Sequence, residues 1–108
     1  METSDPTDLN RLEREAKAEE VAAREARRME LDDIRWLLGH QQGRRIALRL
    51  LEETGVFRSS FDHNHSLMAF SEGRRNIGLW ITAELLEASA DGYFAVLLDG
   101  RQESRGGA

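Results

Sequence analysis

The 108-residue chain lacks the residues from which several kinds of site and scaffold are built. It has no cysteine, so neither a disulfide framework nor a thiolate metal site can form. Its longest apolar run covers only residues 94–98, far short of the roughly 18 residues of a membrane-spanning helix. The acidic, polar start at residues 1–6 is unlike a secretory signal peptide. These absences predict a soluble protein, made in a cytoplasm, with no membrane span.

Lysine is almost missing as well, and arginine supplies nearly all of the positive charge. Fourteen of the fifteen basic residues are arginine, and Lys17 is the single lysine. Residues 1–33 hold eleven acids and six bases, residues 34–75 hold seven arginines and four acids, and residues 76–108 hold five acids and two arginines. Because the guanidinium fork fits both carboxylate and phosphate, two interpretations of the basic middle remain open. Its arginines pair with acids of this chain or a neighbouring copy, or they form a phosphate-binding face.

Proline is scarce, and glycine is missing from a long early stretch. Between Pro6 and Gly39 the chain consists mainly of Ala, Glu, Arg and Leu, which are strong helix formers. After a disordered lead at 1–7, this predicts a charged helix over 8–31. Glutamates interrupt its apolar seam, so the helix is either single and solvated or packed against another subunit through its alanines. With so little apolar surface, we expect it to depend on a partner for order.

The remainder predicts a small helical domain over 32–100 and a disordered tail at 101–108. Apolar residues recur there at helical spacing. The fold class is therefore all-α: a small bundle of three to four short helices preceded by a long charged N-terminal helix. The predicted segments are a turn that begins at Asp32 or Asp33 and carries Trp36, a helix over 44–53, a helix over 67–88 that carries Trp80, and a helix over 92–99 that ends at Gly100.

The tripeptide Gly-Arg-Arg occurs twice, at 43–45 and at 73–75, and a polar loop at 56–66 lies between the two copies. Aromatic side chains inside a polar loop usually fill a core, so we expect Phe57 and Phe61 to be buried. We also predict that the arginines of this region form ion pairs, within the domain or to a neighbour, which fix the loop against the helices. These arginines are Arg44, Arg45, Arg58, Arg74 and Arg75.

No pattern typical of catalysis or metal binding is found. His63 and His65 lie beside Asp62 in a loop that offers no third histidine and no cysteine. Ser59 and Ser60 lack the G-x-S-x-G context of an activated nucleophile, and no G-x-x-x-x-G-K phosphate loop occurs. We therefore predict no catalytic residue, no metal and no cofactor, and a protein that is not an enzyme.

A helix-turn-helix arrangement is the competing interpretation. A helix from Asp33, a break at 39–43 and an arginine-bearing helix over 44–53 fit its outline. This alternative makes the protein a small nucleic-acid-binding regulator. The net charge of −5 and the glutamates Glu52 and Glu53 on the second helix count against it.

Two sequence blocks resemble a known family. R-S-S-F at 58–61 and E-G-R-R-N-I-G-L at 72–79, with D-I-R-W-L-L at 33–38, are similar to a family of small tailed-phage and prophage proteins. That family is typified by a small protein encoded among the structural genes of a short-tailed Bordetella phage. The similarity covers about 32–98 and leaves the charged N-terminal helix outside. His40-Gln41-Gln42 stands where family members often have Ser/Thr-Pro-Glu.

The resemblance implies a non-enzymatic structural or interaction protein of a short-tailed phage virion. It implies several copies, associated with the portal, neck or tail or with internal proteins that are ejected. The implied partners are those phage structural proteins and copies of the chain itself, near packaged DNA, after synthesis in the host cytoplasm. No catalytic residue is carried over. The candidate interaction residues are Trp36, Arg44, Arg45, Phe57, Arg58, Phe61, Arg74, Arg75 and Trp80.

Overall fold

A computed structural model describes residues 6–106, and the side chains of residues 6–101, as four α-helices without a β-strand. The helices are α1 (Pro6–Leu38), α2 (Gln41–Glu53), α3 (His65–Ala88) and α4 (Ala90–Gly106). The predicted all-α class, with a long helix ahead of three shorter ones, is confirmed. None of the described helices is long and apolar enough to cross a bilayer. Residues 1–5 of the predicted disordered lead, and residues 107–108 of the predicted tail, lie outside the described range.

The chain divides into two compact units, Met1–Glu30 and Leu31–Ala108. In the described part of the first unit, every residue of α1 except the half-buried Arg27 is exposed. Side chains one turn apart form ion pairs on the surface of this helix, for example Arg28 Nη2 with Glu25 Oε2 at 2.8 Å. Such exposed pairs contribute little stability each. The dependence of this helix on a partner stays a prediction.

The break expected at Asp32 or Asp33 is absent, because α1 runs unbroken to Leu38. Both carboxylates are exposed, and Asp32 Oδ1 lies 2.7 Å from Nη1 of Arg35, one turn ahead. This pair supports the continuing helix, and no proline or glycine is present to stop it. The Nε of Arg35 also donates to the carbonyl oxygen of Ala88 at 2.6 Å, which joins the ends of α1 and α3.

Each helix contributes only one or two side chains to the core of the second unit. Leu51 of α2 and Val96 of α4 are completely buried, and α4 packs against both α2 and α3. Full burial of such a side chain contributes about 1.5–3 kcal/mol. A core this small gives limited stability. Its buried residues are Leu38, Ala47, Leu51, Leu85 and Val96, flanked by the partly buried Ile34, Leu48, Val56, Ile81 and Tyr93.

The caps of α3 and α4 lie two residues earlier than the predicted helix starts at 67 and 92 imply. Asn64, and not Ser66, caps α3, because its side chain accepts hydrogen bonds from the N–H of Ser66 at 2.9 Å and of the next residue at 3.1 Å. Ser89 ends α3 and caps α4 through its Oγ, which accepts from the N–H of Gly92 at 2.9 Å. Asp91, which immediately precedes the predicted helix over 92–99, lies in the first turn of α4. A capping side chain must precede the free N–H groups by two or three residues.

Helix α4 continues to Gly106, although a stop at Gly100 and a disordered tail from 101 were predicted. Gly100 serves close packing and not helix termination. A Cβ at this position would overlap the side chain of Leu48 in α2. An interior glycine costs about 1 kcal/mol relative to alanine, and here it lets α4 approach α2 closely.

Candidate functional site

The two Gly-Arg-Arg tripeptides begin with glycines in opposite surroundings. Gly43 is buried, and a Cβ there would overlap the backbone carbonyl of Leu37. Around Gly73, nothing lies within 4 Å of the position a Cβ would take. Gly78, in contrast, faces Thr54 and Val56 so closely that a Cβ would overlap their side chains. The close contact of α3 therefore occurs at Gly78, against the α2–α3 loop.

Arg44, in the first tripeptide, holds three helices together. Its Nε lies 2.5 Å from Asp99 Oδ2 of α4, and its Nη1 donates to the carbonyl oxygen of Leu38 at 2.9 Å. Both side chains are partly buried. The neighbouring Arg45 is exposed, and among the described side chains of residues 6–101 its guanidinium forms neither a hydrogen bond nor an ion pair. Arg44 is therefore an internal anchor, while Arg45 faces solvent.

Arg58 and Arg74 converge on the last carbonyl groups of α2. Nη2 of Arg58 lies 3.4 Å from the carbonyl oxygen of Glu52, and Nη2 of Arg74 donates to that of Glu53. The carbonyls at a helix C-terminus lack helical partners and carry partial negative charge, so cations stabilise them. The Arg74 guanidinium also lies over the ring of Phe70, with Cζ 5.8 Å from the ring centroid.

A polar cavity of about 160 Å³ opens beside these two arginines. Its lining contains hydroxyl, guanidinium and backbone groups and no carboxylate. Ser60 Oγ bonds Glu72 Oε1, which ties the loop to α3. The R-S-S-F block at 58–61 and the E-G-R-R block at 72–75, eleven positions apart at their closest, thus meet at one place. We call this cavity the arginine pocket; it is lined by Thr54, Gly55, Arg58, Ser59, Ser60, Ser71 and Arg74.

The prediction that Phe57 and Phe61 fill the core is wrong. Phe57 is 51% exposed and Phe61 is 70% exposed. The space beside the core is taken by Val56, which is partly buried against it. The bond from Ser60 to α3 then holds the following residues at the surface. Phe61 packs edge-on against the ring of His63, with centroids 5.4 Å apart.

The apolar stripe of α3 is only partly covered. Leu85 is buried and Ile81 is partly buried, whereas Phe70 is 64% exposed and Trp80 is 63% exposed. The buried residues of α3 all lie from Gly78 onward. The first half of the stripe is therefore solvent-facing, contrary to the burial that its helical spacing suggests. Its exposed members are Leu67, Phe70, Ile77 and Trp80.

An apolar cavity of about 170 Å³ continues this uncovered surface. It lies among the end of α1, α2 and α3, and Glu84 is the one charged residue in its lining. Trp80 and Leu50 form exposed parts of it. Trp36 is also exposed, with its ring centroid 4.7 Å from that of His40. We call this cavity the apolar groove; it is lined by Ile34, Leu37, Ala47, Leu50, Trp80, Ile81, Glu84 and Leu85.

Three further features raised by the sequence are the helix-turn-helix break, a metal site and the ion pairing of Arg75. The break between α1 and α2 is only residues 39–40, shorter than the expected 39–43. In the described range, no three His, Cys, Asp or Glu side chains group as metal ligands would. Arg75 is half-buried, and its guanidinium has no hydrogen bond or ion pair among the described side chains.

Sequence reasoning missed three residues of these sites. Asp99 pairs with Arg44 across 55 positions, a distance that only the tertiary fold closes. Thr54 directly follows the predicted helix over 44–53 and was given no role in a site. Ser71 precedes Arg74 by three residues, so the two share a face of α3. That i,i+3 spacing was a usable signal, because it places a hydroxyl beside a guanidinium.

One comparison with known proteins gives a match. The model of a family described as Bbp19-like phage protein matches residues 34–97, which is more than half of the chain. The matched region contains the arginine pocket and the apolar groove and excludes the exposed helix of the first unit. The resemblance inferred from the sequence is thereby confirmed. No curated protein and no solved structure matches the chain significantly.

Proposed function

The chain belongs to the Bbp19-like phage protein family, and from this premise we propose that it is a structural or interaction protein of a short-tailed phage virion. In this proposal it has no enzymatic activity and is present in several copies. Its partners are portal, neck or tail proteins, or internal proteins that are ejected, together with copies of itself. It is made in the host cytoplasm and is located in the virion, close to packaged DNA.

The uncovered apolar surface of the second unit is the observation that carries this proposal. The apolar groove and the first half of α3 expose Trp80, Phe70 and Leu50 to at least half of their area. Soluble monomers rarely leave apolar patches of this kind uncovered. Aromatic residues and arginine are enriched where proteins meet. A partner that covers this surface would complete a core that the chain builds only in part.

The exposed helix of the first unit supports the same function. It places Leu9, Leu12 and Val21 at about half exposure. An isolated helix gains most of its stability from packing an apolar face. A neighbouring subunit or another virion protein would provide that packing.

The use of Arg44 supports this proposal over the nucleic-acid-binding alternative. A recognition helix needs its basic side chains free to reach the groove and the phosphates. Arg44 is engaged by Asp99 and Leu38, and Arg49 shares the exposed surface of α2 with Glu52 and Glu53. These glutamates would repel a phosphate backbone.

Quantitative mass spectrometry of purified particles tests the proposal. We expect the chain in the particle at a fixed copy number, near about six or twelve for a closed ring. A phage that carries Trp80→Ser should incorporate fewer copies, whereas Ala83→Ser, at an exposed α3 position outside the stripe, should incorporate normally. Absence of the chain from wild-type particles would refute the proposal. Duplex binding that weakens steeply with salt would then favour the regulator.

A further inference from the structure

The arginine pocket presents more hydrogen-bond donors than its own residues use. A guanidinium carries five N–H groups. Among the described residues, the guanidinium groups of Arg58 and Arg74 each donate one hydrogen bond, to the end of α2. The lining adds the hydroxyls of Ser59, Ser71 and Thr54, of which Thr54 donates to Leu51. Two positive charges and these donors around one cavity are the chemistry that binds an oxyanion.

The guanidinium of Arg74 and the backbone of Arg58 are already held in place. Arg74 is fixed by the Glu53 carbonyl and the Phe70 ring. The backbone N–H of Arg58 donates to the Gly55 carbonyl at 3.0 Å, which closes the turn that carries it. A site whose donors are ordered before binding loses less conformational entropy when the ligand arrives.

The size of the pocket limits the ligand to a small group. Its volume of about 160 Å³ corresponds to only a few water molecules, since each occupies about 30 Å³ of liquid. A single carboxylate or phosphate group fits such a space. The open side admits the stem of a longer side chain.

The surrounding charges favour a lone carboxylate over a nucleic acid. Three glutamates lie next to residues of the pocket: Glu72 bonds Ser60 through its carboxylate, and the backbone carbonyls of Glu52 and Glu53 bond the two arginines. They would repel the successive phosphates of a polyanion, whereas a single carboxylate adds only one charge. The exposed rings of Phe57 and Phe70 beside the arginines are typical of a protein interface.

We propose that the arginine pocket binds one Asp or Glu side-chain carboxylate of a protein partner through Arg58 and Arg74. The pocket would thereby fix the register of a partner that the apolar surface attracts without strong directionality. That the carboxylate comes from a protein rests on the proposed function. The oxyanion chemistry rests on the pocket alone.

NMR titration of the full-length chain tests this assignment. The probe is N-acetyl-glutamic acid α-amide, which carries only a side-chain carboxylate, and the neutral glutamine analogue is its control. We expect saturable shifts of the Nε–Hε signals of Arg58 and Arg74 with the acid and none with the amide. Arg58→Gln should weaken the apparent affinity about tenfold or more, equivalent to about 1.4 kcal/mol. Arg49→Gln, at an exposed arginine outside the pocket, should leave it unchanged.

Further variants separate binding from folding. Arg74→Lys keeps the charge and removes the fork, and Ser71→Ala removes one hydroxyl donor; both should weaken binding while the backbone spectrum remains dispersed. Equal responses to the acid and the amide would overturn the proposal. So would saturation by inorganic phosphate or duplex DNA, at matched ionic strength, without saturation by the acid. If the acid causes no saturable shifts but the chain is present in purified particles, only the carboxylate-binding proposal is refuted. If the acid does bind but the chain is absent from particles, only the proposed virion role is refuted.

Discussion

The two glycines of the repeated tripeptide offer a sharp test of the packing. We predict that Gly43→Ala destabilises the second unit and that Gly73→Ala stabilises it, although both substitutions are made in the same local sequence, Gly-Arg-Arg. The difference arises because a Cβ meets the Leu37 carbonyl at Gly43 and open space at Gly73. Each variant thus serves as the control for the other.

The magnitudes follow from the surroundings of each glycine. Alanine is favoured over glycine inside a helix by about 1 kcal/mol, and nothing at Gly73 opposes this gain. At Gly43 the clash involves backbone, so no side-chain rotation relieves it, and such overpacking costs about 1–3 kcal/mol. Because Gly43 lies in the first turn of α2, the offsetting gain is small. We expect a net loss of about 2 kcal/mol, and hence a difference of about 3 kcal/mol between the variants.

Urea unfolding followed by the NMR signals of the tryptophan indole N–H groups measures this difference. Both tryptophans, Trp36 and Trp80, lie in the second unit, so their signals report that unit separately from the exposed helix. In a domain of this size, 1 kcal/mol shifts the melting temperature by about 4–8 °C. Equal stability of the two variants, or a destabilised Gly73→Ala, would refute the packing described around α2.

Three other predictions concern contacts between residues of the same chain. Arg44→Ala should lower the free energy of unfolding by about 1–3 kcal/mol, because the substitution leaves the Asp99 carboxylate and the Leu38 carbonyl unpaired. Arg45→Ala, at an exposed position, should change the free energy of unfolding by less than about 0.5 kcal/mol. Equal losses in the two variants would contradict the anchor role of Arg44. Leu51→Ala should cost about 2–5 kcal/mol, since Leu51 is completely buried, and the adjacent half-exposed Leu50→Ala should cost clearly less in the same urea assay. A hydrogen bond from Arg28 and the charge of its guanidinium lower the pKa of Glu25 below its ordinary value of 4.5. The pair therefore stabilises the helix above pH 4.5, and this contribution is lost as the pH falls through the lowered pKa. A carboxyl-carbon NMR titration of Glu25 should have its midpoint below 4.5, and removal of the arginine should raise it; a midpoint that does not respond would show that the pair is not formed.

The helices were predictable because their signals are local. Glycine placement and apolar spacing gave the all-α class and the approximate extents of the helices. Gly55 has the left-handed φ of +71° expected of a residue just after a helix. The start of α3 was displaced only because Asn64 is as good a cap as Ser66. Such features depend on neighbours within one or two turns, and a sequence displays them directly.

The coverage of helix faces was not predictable in the same way. A helical stripe indicates that a face is apolar, and it does not indicate whether anything packs on it. Phe70 follows the same helical spacing as Leu85, yet only Leu85 belongs to the buried core. Similarly, Arg58 and Arg74 were named in advance, but they bond to backbone carbonyls, which no residue type reveals. Gly43 and Gly73 differ only through their tertiary surroundings.

The distribution of side-chain amines has a practical value for work on the particle. Lys17 is the only lysine, and it is exposed in the helix of the first unit, outside the family match at 34–97. Within the chain, reagents that acylate lysine side chains can react only there. A cross-linker attached through Lys17 would therefore identify the neighbours of the helix without ambiguity from the second unit. A lysine-specific protease would likewise cut at this one position and leave the arginine-bearing unit whole.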